Sequence, residues 1–291
     1  MEHSQTEITQ TIFNTINSLI SSLFSSIDTS VYDILDKIVF IDKKLLDDNF
    51  LLSFLGTSNS NGIILLSNSL IIGFIIFYII RYACSHFMGN QVERPFQFVF
   101  RLIVFAILSN CSYFIMGEFL HINYLISEAI KALGEGILNC DISFSQLILK
   151  LNEIMSDSNP NIFSIDGLLK GFISISLLNL LFTYSLRYVV LKVFILITPF
   201  AFLTLINSST SWFFKAYFKS ILSLLLLQSF ISIVLLIMFS INYSSSDLFS
   251  KIICIGSLYT LTKANSYIKE LVGGISTEFT TNFNTFRNII K

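Results

Sequence analysis

The chain has 291 residues, of which 53% are hydrophobic, 14% aromatic and 13% charged, with 30 Phe and 3 Pro. A soluble domain carries roughly 25% charged residues, and this one would expose more apolar surface than water tolerates, so composition points to lipid as part of the solvent. The low charged fraction excludes a disordered or nucleic-acid-coating protein, and the formal net charge of -1 hides a segregation by region: residues 1–61 and 118–170 are acidic, whereas 81–101 and everything from 171 onward are basic.

Residues 1–61 open without a basic leader, so no cleavable signal peptide is expected. Ile8, Ile12, Ile16, Leu19, Leu23 and Ile27 recur at three- and four-residue spacing, as do Ile34, Leu35, Ile38 and Leu45, which predicts two amphipathic helices. Their polar faces are acidic rather than Lys- and Arg-rich, so they suit packing on protein better than binding to anionic lipid.

Residues 62–117 read as a first transmembrane hairpin. Gly62 to Ile80 carries no charge and is long enough for a hydrocarbon core of about 30 Å. Phe98 to Gly117 is the expected second span, with Arg101 snorkelling to the interface. The basic loop 81–101 between them is placed inside the cell by its Arg residues. Residues 118–167 form a second acidic, outer-side segment with stripes at Ile122, Leu125, Ile126, Ile130 and Leu133 and at Leu147, Leu151, Ile154 and Met155, joined by a linker at 156–161.

A bundle is expected over 168–262. Its first stretch, Leu168 to Ile206, would be a helix of about 58 Å and is broken by Lys170, Arg187 and Lys192. Two readings fit: two spans with a turn near Arg187, or one span to Leu186 followed by a re-entrant or interfacial piece bent at Pro199. Ile221 to Ile241 is a span, and Leu248 to Leu261 a short one carrying Lys251. Five spans put the N-terminus outside, gather Arg187, Lys192, Lys215 and Lys219 inside and leave residues 263–291 as a basic cytoplasmic tail; six would move much of that charge outside, so five is favoured. The expected fold class is therefore all-α, a helical multi-pass membrane protein.

No phosphate-cradling, dinucleotide, hydrolase-elbow or zinc-protease motif occurs, and His3, His86 and His121 are scattered, so no catalytic residue, metal or cofactor is expected. The four cysteines make no disulfide framework. Inside the spans the polar residues are amides: Asn68, Asn110, Asn179 and Gln228. They read as interhelical hydrogen-bond glue, with a polar conduit as the alternative, and the absence of mid-span acids or His speaks against proton coupling. Arg187, Lys192, Lys215 and Lys219 flank residues 193–206 and the sole Trp, Trp212. The segment 187–219 is either an aromatic-and-basic interfacial anchor or a docking surface for a partner or a passing polyanion.

The stretch Arg187 to Gln228, an apolar run reaching Pro199, then a polar linker, Trp212, basic residues and a long span, resembles the TrbL family, the VirB-type polytopic membrane subunit of conjugative type IV secretion systems. Gln91 to Ile115 resembles its Gram-positive branch. Where many members have Gly before the Pro, this chain has Thr198. The resemblance implies a non-catalytic channel subunit in the plasma membrane. Its implied partners are other secretion subunits including the secretion ATPases, further copies of itself, and a passing single-stranded DNA–relaxase complex or protein, with Trp212, Lys215 and Lys219 in an inward-facing linker. A small-solute permease is the alternative, and a membrane-embedded enzyme ranks below both.

Overall fold

The computed structural model describes residues 29–56, 62–88, 94–147, 149–150, 165–207, 209–241 and 248–273, and positions 11, 15, 18, 19 and 22. The first amphipathic stripe at 8–27 lies almost wholly outside the described residues, as do the linker 156–161 and the tail from 274. What is described is helical, with no strand: α1 (Thr29–Val39), a 3-10 turn (Lys43–Asp47), α2 (Asn49–Leu55), α3 (Ile63–Met88), α4 (Pro95–Asn110), α5 (Ser112–Leu138), α6 (Ile165–Leu203), α7 (Ser211–Ser240) and α8 (Leu248–Val272).

Three of these helices, α3, α6 and α7, are long and apolar enough to cross a membrane; a fourth crossing arises only if α4 and α5, bent by 62° at their junction, count as one. The expected five spans are thus corrected. The straight span Phe98 to Gly117 does not form, because the chain breaks at Cys111. Polar side chains there bond carbonyls: the Ser109 hydroxyl donates to the Pro199 carbonyl of α6 at 3.0 Å, and the Asn110 amide donates back to the Ala106 carbonyl of its own helix at 2.9 Å. Such local bonds compete with a regular ladder. The outer stripe from Ile122 to Leu133 is then one continuous helix with Ser112, not a separate element.

The 39-residue stretch is a single helix, α6, corrected from both expected readings. It has no turn at Arg187 and runs on past Pro199. Proline removes one ladder donor, the one that would reach the Ile195 carbonyl; beside that gap the Phe194 carbonyl accepts from the hydroxyls of Thr198 at 3.1 Å and Tyr217 at 3.2 Å. The expected short span 248–261 is the first part of α8, which continues through the predicted tail boundary at 263 and carries Lys263 and Lys269.

The core explains why hydropathy overcounts. α7 packs on α5, α6 and α8, and 61% of its most apolar window is buried within the chain, against 6% for α3. Much of the apolar surface of α7 is therefore covered by protein. One buried cluster joins Leu35 and Val39 of α1 to Leu177 and Leu180 of α6, Leu227 and Ile231 of α7, and Leu258 and Leu261 of α8. A second joins Leu45, Leu46, Leu51 and Leu55 to Leu120, Leu191 and Leu224. Residues 33–55 thus run as a strap against the bundle of α5, α6 and α7 rather than as a separate outer segment. α3 and α4 pair through Tyr78 and Phe98, whose rings stack at 3.8 Å.

Candidate functional site

The polar residues converge where the strap meets the bundle. Arg187, in the middle of α6, is fully buried at 0% exposure. Its Nε and Nη2 donate to the Leu224 carbonyl of α7 at 3.0 and 2.6 Å, and its Nη1 donates to the Val39 carbonyl at 3.0 Å. Val39 is the last residue of α1, so that carbonyl has no partner within its own helix. A cation there also meets the negative end of the helix dipole.

Gln228, on the next turn of α7 after Leu224, is likewise fully buried. Its Oε1 accepts from the Ile41 backbone N–H at 3.2 Å and from the Asn123 Nδ2 at 3.1 Å. Two side chains of the bundle thus hold the peptide on either side of Phe40. One satisfies a carbonyl, the other an N–H. The charge is expensive to bury, costing several kcal/mol, and is offset by bonds to a charged donor worth about 1.5–3 kcal/mol each. Beside it the fully buried Tyr184 donates its hydroxyl to the Leu261 carbonyl of α8 at 2.9 Å.

Ionic contacts fix the two ends of the strap. The Asp36 carboxylate accepts from the Phe144 and Ser145 N–H groups at 2.9 and 3.3 Å. Burial pushes the Asp36 carboxyl above the usual carboxylate range, and those two backbone bonds pull it back. Further along, Asp48 is paired with Lys192 of α6, and Lys43 with Glu118 of α5 at 2.8 Å. Asp42 lies 3.4 Å from His121. The Lys192 ammonium bond, with the Phe50 N–H, holds the Asp48 carboxyl below its usual range.

The predicted site residues separate accordingly. Arg187, expected at an inner face, is corrected to a buried structural cation, because its guanidinium finds three bonds to carbonyls inside the bundle. Lys192 is half-buried and ion-paired, so it too is not a free surface cation. Trp212, Lys215 and Lys219 are exposed at the start of α7. Asn68 and Asn110 exchange amide bonds at 3.0 Å between α3 and α4, the interhelical role expected of them. Asn179 is half-buried, and no bond among the described residues joins it to that pair. Sequence reasoning missed Asn123, whose only signal is an amide beside the Ile122 stripe, and Asp36, whose partners lie more than a hundred residues away.

Comparison with family models, with curated proteins and with solved structures finds no match for this chain. The site therefore has to be read from its own chemistry: bonds that tie a strap into a helical bundle.

Replacing Gln228 by Leu orphans the Ile41 N–H and the Asn123 amide. At about 1–3 kcal/mol for each of these two buried unpaired donors, less what removal of the unpartnered Gln228 Nε2 returns, the variant is expected to lose about 2–4 kcal/mol in thermal unfolding in mild detergent. Ser232→Ala, which removes only a bond to the Gln228 carbonyl of its own helix, stays within about 1 kcal/mol of the parent.

The lowered Asp48 carboxyl sets a sign. A depressed folded-state value stabilises at pH above the unfolded value, and the contribution is lost as pH falls through the folded one. Asp48→Asn should therefore melt below the parent near neutral pH. Melting curves of the two should converge as pH drops below about 4.

Proposed function

We propose that this chain is a structural, non-catalytic multi-pass subunit of a conjugative type IV secretion apparatus of the Gram-positive kind, seated in the plasma membrane. In this reading the N-terminus is outside and the C-terminus cytoplasmic, and the subunit helps to pass single-stranded DNA with its relaxase, or protein. The sequence resemblance over Arg187 to Gln228 and Gln91 to Ile115 supports it. So does one observation above others: α3 leaves Leu65, Leu66, Ile72, Ile76, Ile79 and Ile80 each at least half exposed. An apolar helix uncovered around most of its circumference suits a subunit whose neighbours, lipid and other channel subunits, complete it.

Three crossings, by α3, α6 and α7, already put the two termini on opposite sides, as the proposed orientation requires. A small-solute permease is the second reading, favoured by the buried cation of Arg187, since charges within membrane-spanning segments often mark substrate paths. Against it, the Arg187 bonds go to the chain's own carbonyls, which gives them a structural use.

Affinity purification of the tagged protein from its native membrane in mild detergent, followed by mass spectrometry, tests the choice. Secretion ATPases and other conjugation-channel subunits are the expected companions. Recovery alone, or with a nucleotide-binding transport subunit, would overturn the secretion reading and promote the permease.

A further inference from the structure

The 62° break between α4 and α5 leaves a cavity of about 280 Å³ against α6 and α7, where its lining runs along α7 from Phe214 to Leu225. Its wall is apolar. The two hydroxyls that border it, Thr198 and Tyr217, face one another at 2.6 Å and share the Phe194 carbonyl, so neither is left to hold a polar solute. A site for a soluble ligand carries a few convergent polar groups. This one carries rings instead, those of Phe119, Phe202, Phe214, Tyr217 and Phe218, and rings pair well with rings in offset or edge-to-face contact. A dry hollow of about 150 Å³ takes up one benzene, so this cavity has room for roughly two phenyl groups. It opens sideways past Phe119, Phe218 and Leu222, which are 42%, 40% and 36% exposed.

The chain leaves α8 at the same depth. That helix stops at Gly273, whose N–H donates to the Lys269 carbonyl at 2.6 Å and whose φ of 78° is left-handed, the glycine cap that turns a chain off a helix axis. A Cβ placed on Gly273 would lie 3.9 Å from the Lys219 Cδ. Lys219 stands midway along the Phe214 to Leu225 stretch, on a different side of α7 from the cavity. Residues 274–291 follow, and Ile275, Phe279, Phe283, Phe286 and Ile290 recur there at four- and three-residue spacing, the pattern of one apolar helical face. Between them stand chiefly Ser, Thr and Asn, weak helix formers, so a helix of this length needs a surface to form on. With Arg287 and Lys291 its only cations, the segment suits protein better than anionic lipid. From Ile275 to Phe283 a helix is about 12 Å long, which is the width of α7 itself. Tethered beside α7, the segment meets the cavity at an effective concentration on the order of millimolar.

We propose that residues 274–291 fold back across α7 as an amphipathic helix and seat Phe283 in the cavity, with Phe279 and Phe286 at its rim. The proposal is independent of which apparatus the chain serves.

The test uses the full chain, purified in mild detergent, with the photoreactive analogue p-benzoylphenylalanine in place of Phe283, which keeps a ring at that position. Mass spectrometry is expected to find crosslinks within one chain to the lining segments 108–119, 198–202 or 214–225. The same analogue in place of Thr281, which the helical pattern turns to the polar face, is expected to give none there. In a second readout the four native cysteines are replaced and Leu222→Cys is labelled by a small thiol reagent. Adding Phe279→Ala, Phe283→Ala and Phe286→Ala together should speed that labelling about tenfold, the least that losing a buried phenyl group would give. Crosslinks only elsewhere in the chain, to a second chain or to detergent overturn the proposal, as does equal crosslinking from positions 281 and 283 or labelling that the three Ala substitutions leave unchanged. Since the purified chain is tested without any other subunit, either result leaves the secretion reading to its own test.

Discussion

A guanidinium taken out of water has to be given acceptors, and Arg187 finds them only if three segments distant in sequence come together. Its bonds reach the Leu224 carbonyl 37 residues away and the Val39 carbonyl 148 residues away. The helix that carries it cannot turn at that point, and α7 must present a carbonyl of its own ladder. The end of α1 must dock inside the bundle rather than beside it. Once those conditions hold, Gln228 lies one turn along from Leu224 and meets the Ile41 N–H, with Asn123 of α5 closing the set. Four elements are then fixed around one buried charge, which the low dielectric makes costly to leave unpaired.

The rest of the packing follows from that anchor. With Val39 and Ile41 held, the strap has little freedom in where Leu45, Leu46 and Leu51 pack, and its acidic residues come to rest beside Lys192, His121 and the Phe144 turn. The acidic polar face of the N-terminal segment thus faces cations and backbone donors of its own chain, the use expected of a face unsuited to anionic lipid. α3 and α4 join each other and α6 through small hydroxyls: Ser67 and Ser109 meet at 2.6 Å and Ser109 reaches the Pro199 carbonyl. Close approach through small residues is how helices associate where no hydrophobic drive separates protein from lipid.

Sequence makes the helices legible, because apolar runs and three- and four-residue stripes are local properties. It places the start of α3 within one residue and the Ile221 to Ile241 span almost wholly inside α7, and it marks Asn68 and Asn110 as interhelical amides. It misplaces what depends on distant partners. Hydropathy cannot tell a side chain facing lipid from one facing another apolar helix, so it counts α8 as a short span and Phe98 to Gly117 as a straight one. Arg187 sits between two apolar runs and reads as a membrane boundary, since the carbonyls that permit its burial belong to other elements. The break at Cys111 follows Ser109, whose hydroxyl reaches Pro199, 90 residues further along the chain. Trp212, Lys215 and Lys219 are legible as an exposed basic and aromatic group.

The docking of the strap on α5, α6 and α7 depends on the peptide around Phe40 lying inside the bundle. The direct measurement is the rate at which a small thiol reagent labels an Ile41→Cys chain in mild detergent, with Cys84, Cys111, Cys140 and Cys254 replaced, beside a second chain of the same background carrying Asp33→Cys at an exposed position. Ile41 is 2% exposed, so the thiol introduced there is expected to stay unlabelled until the protein is unfolded, while the thiol introduced in place of Asp33 reacts at once. Equal, rapid labelling of both in the folded protein would contradict a strap docked on Arg187 and Gln228.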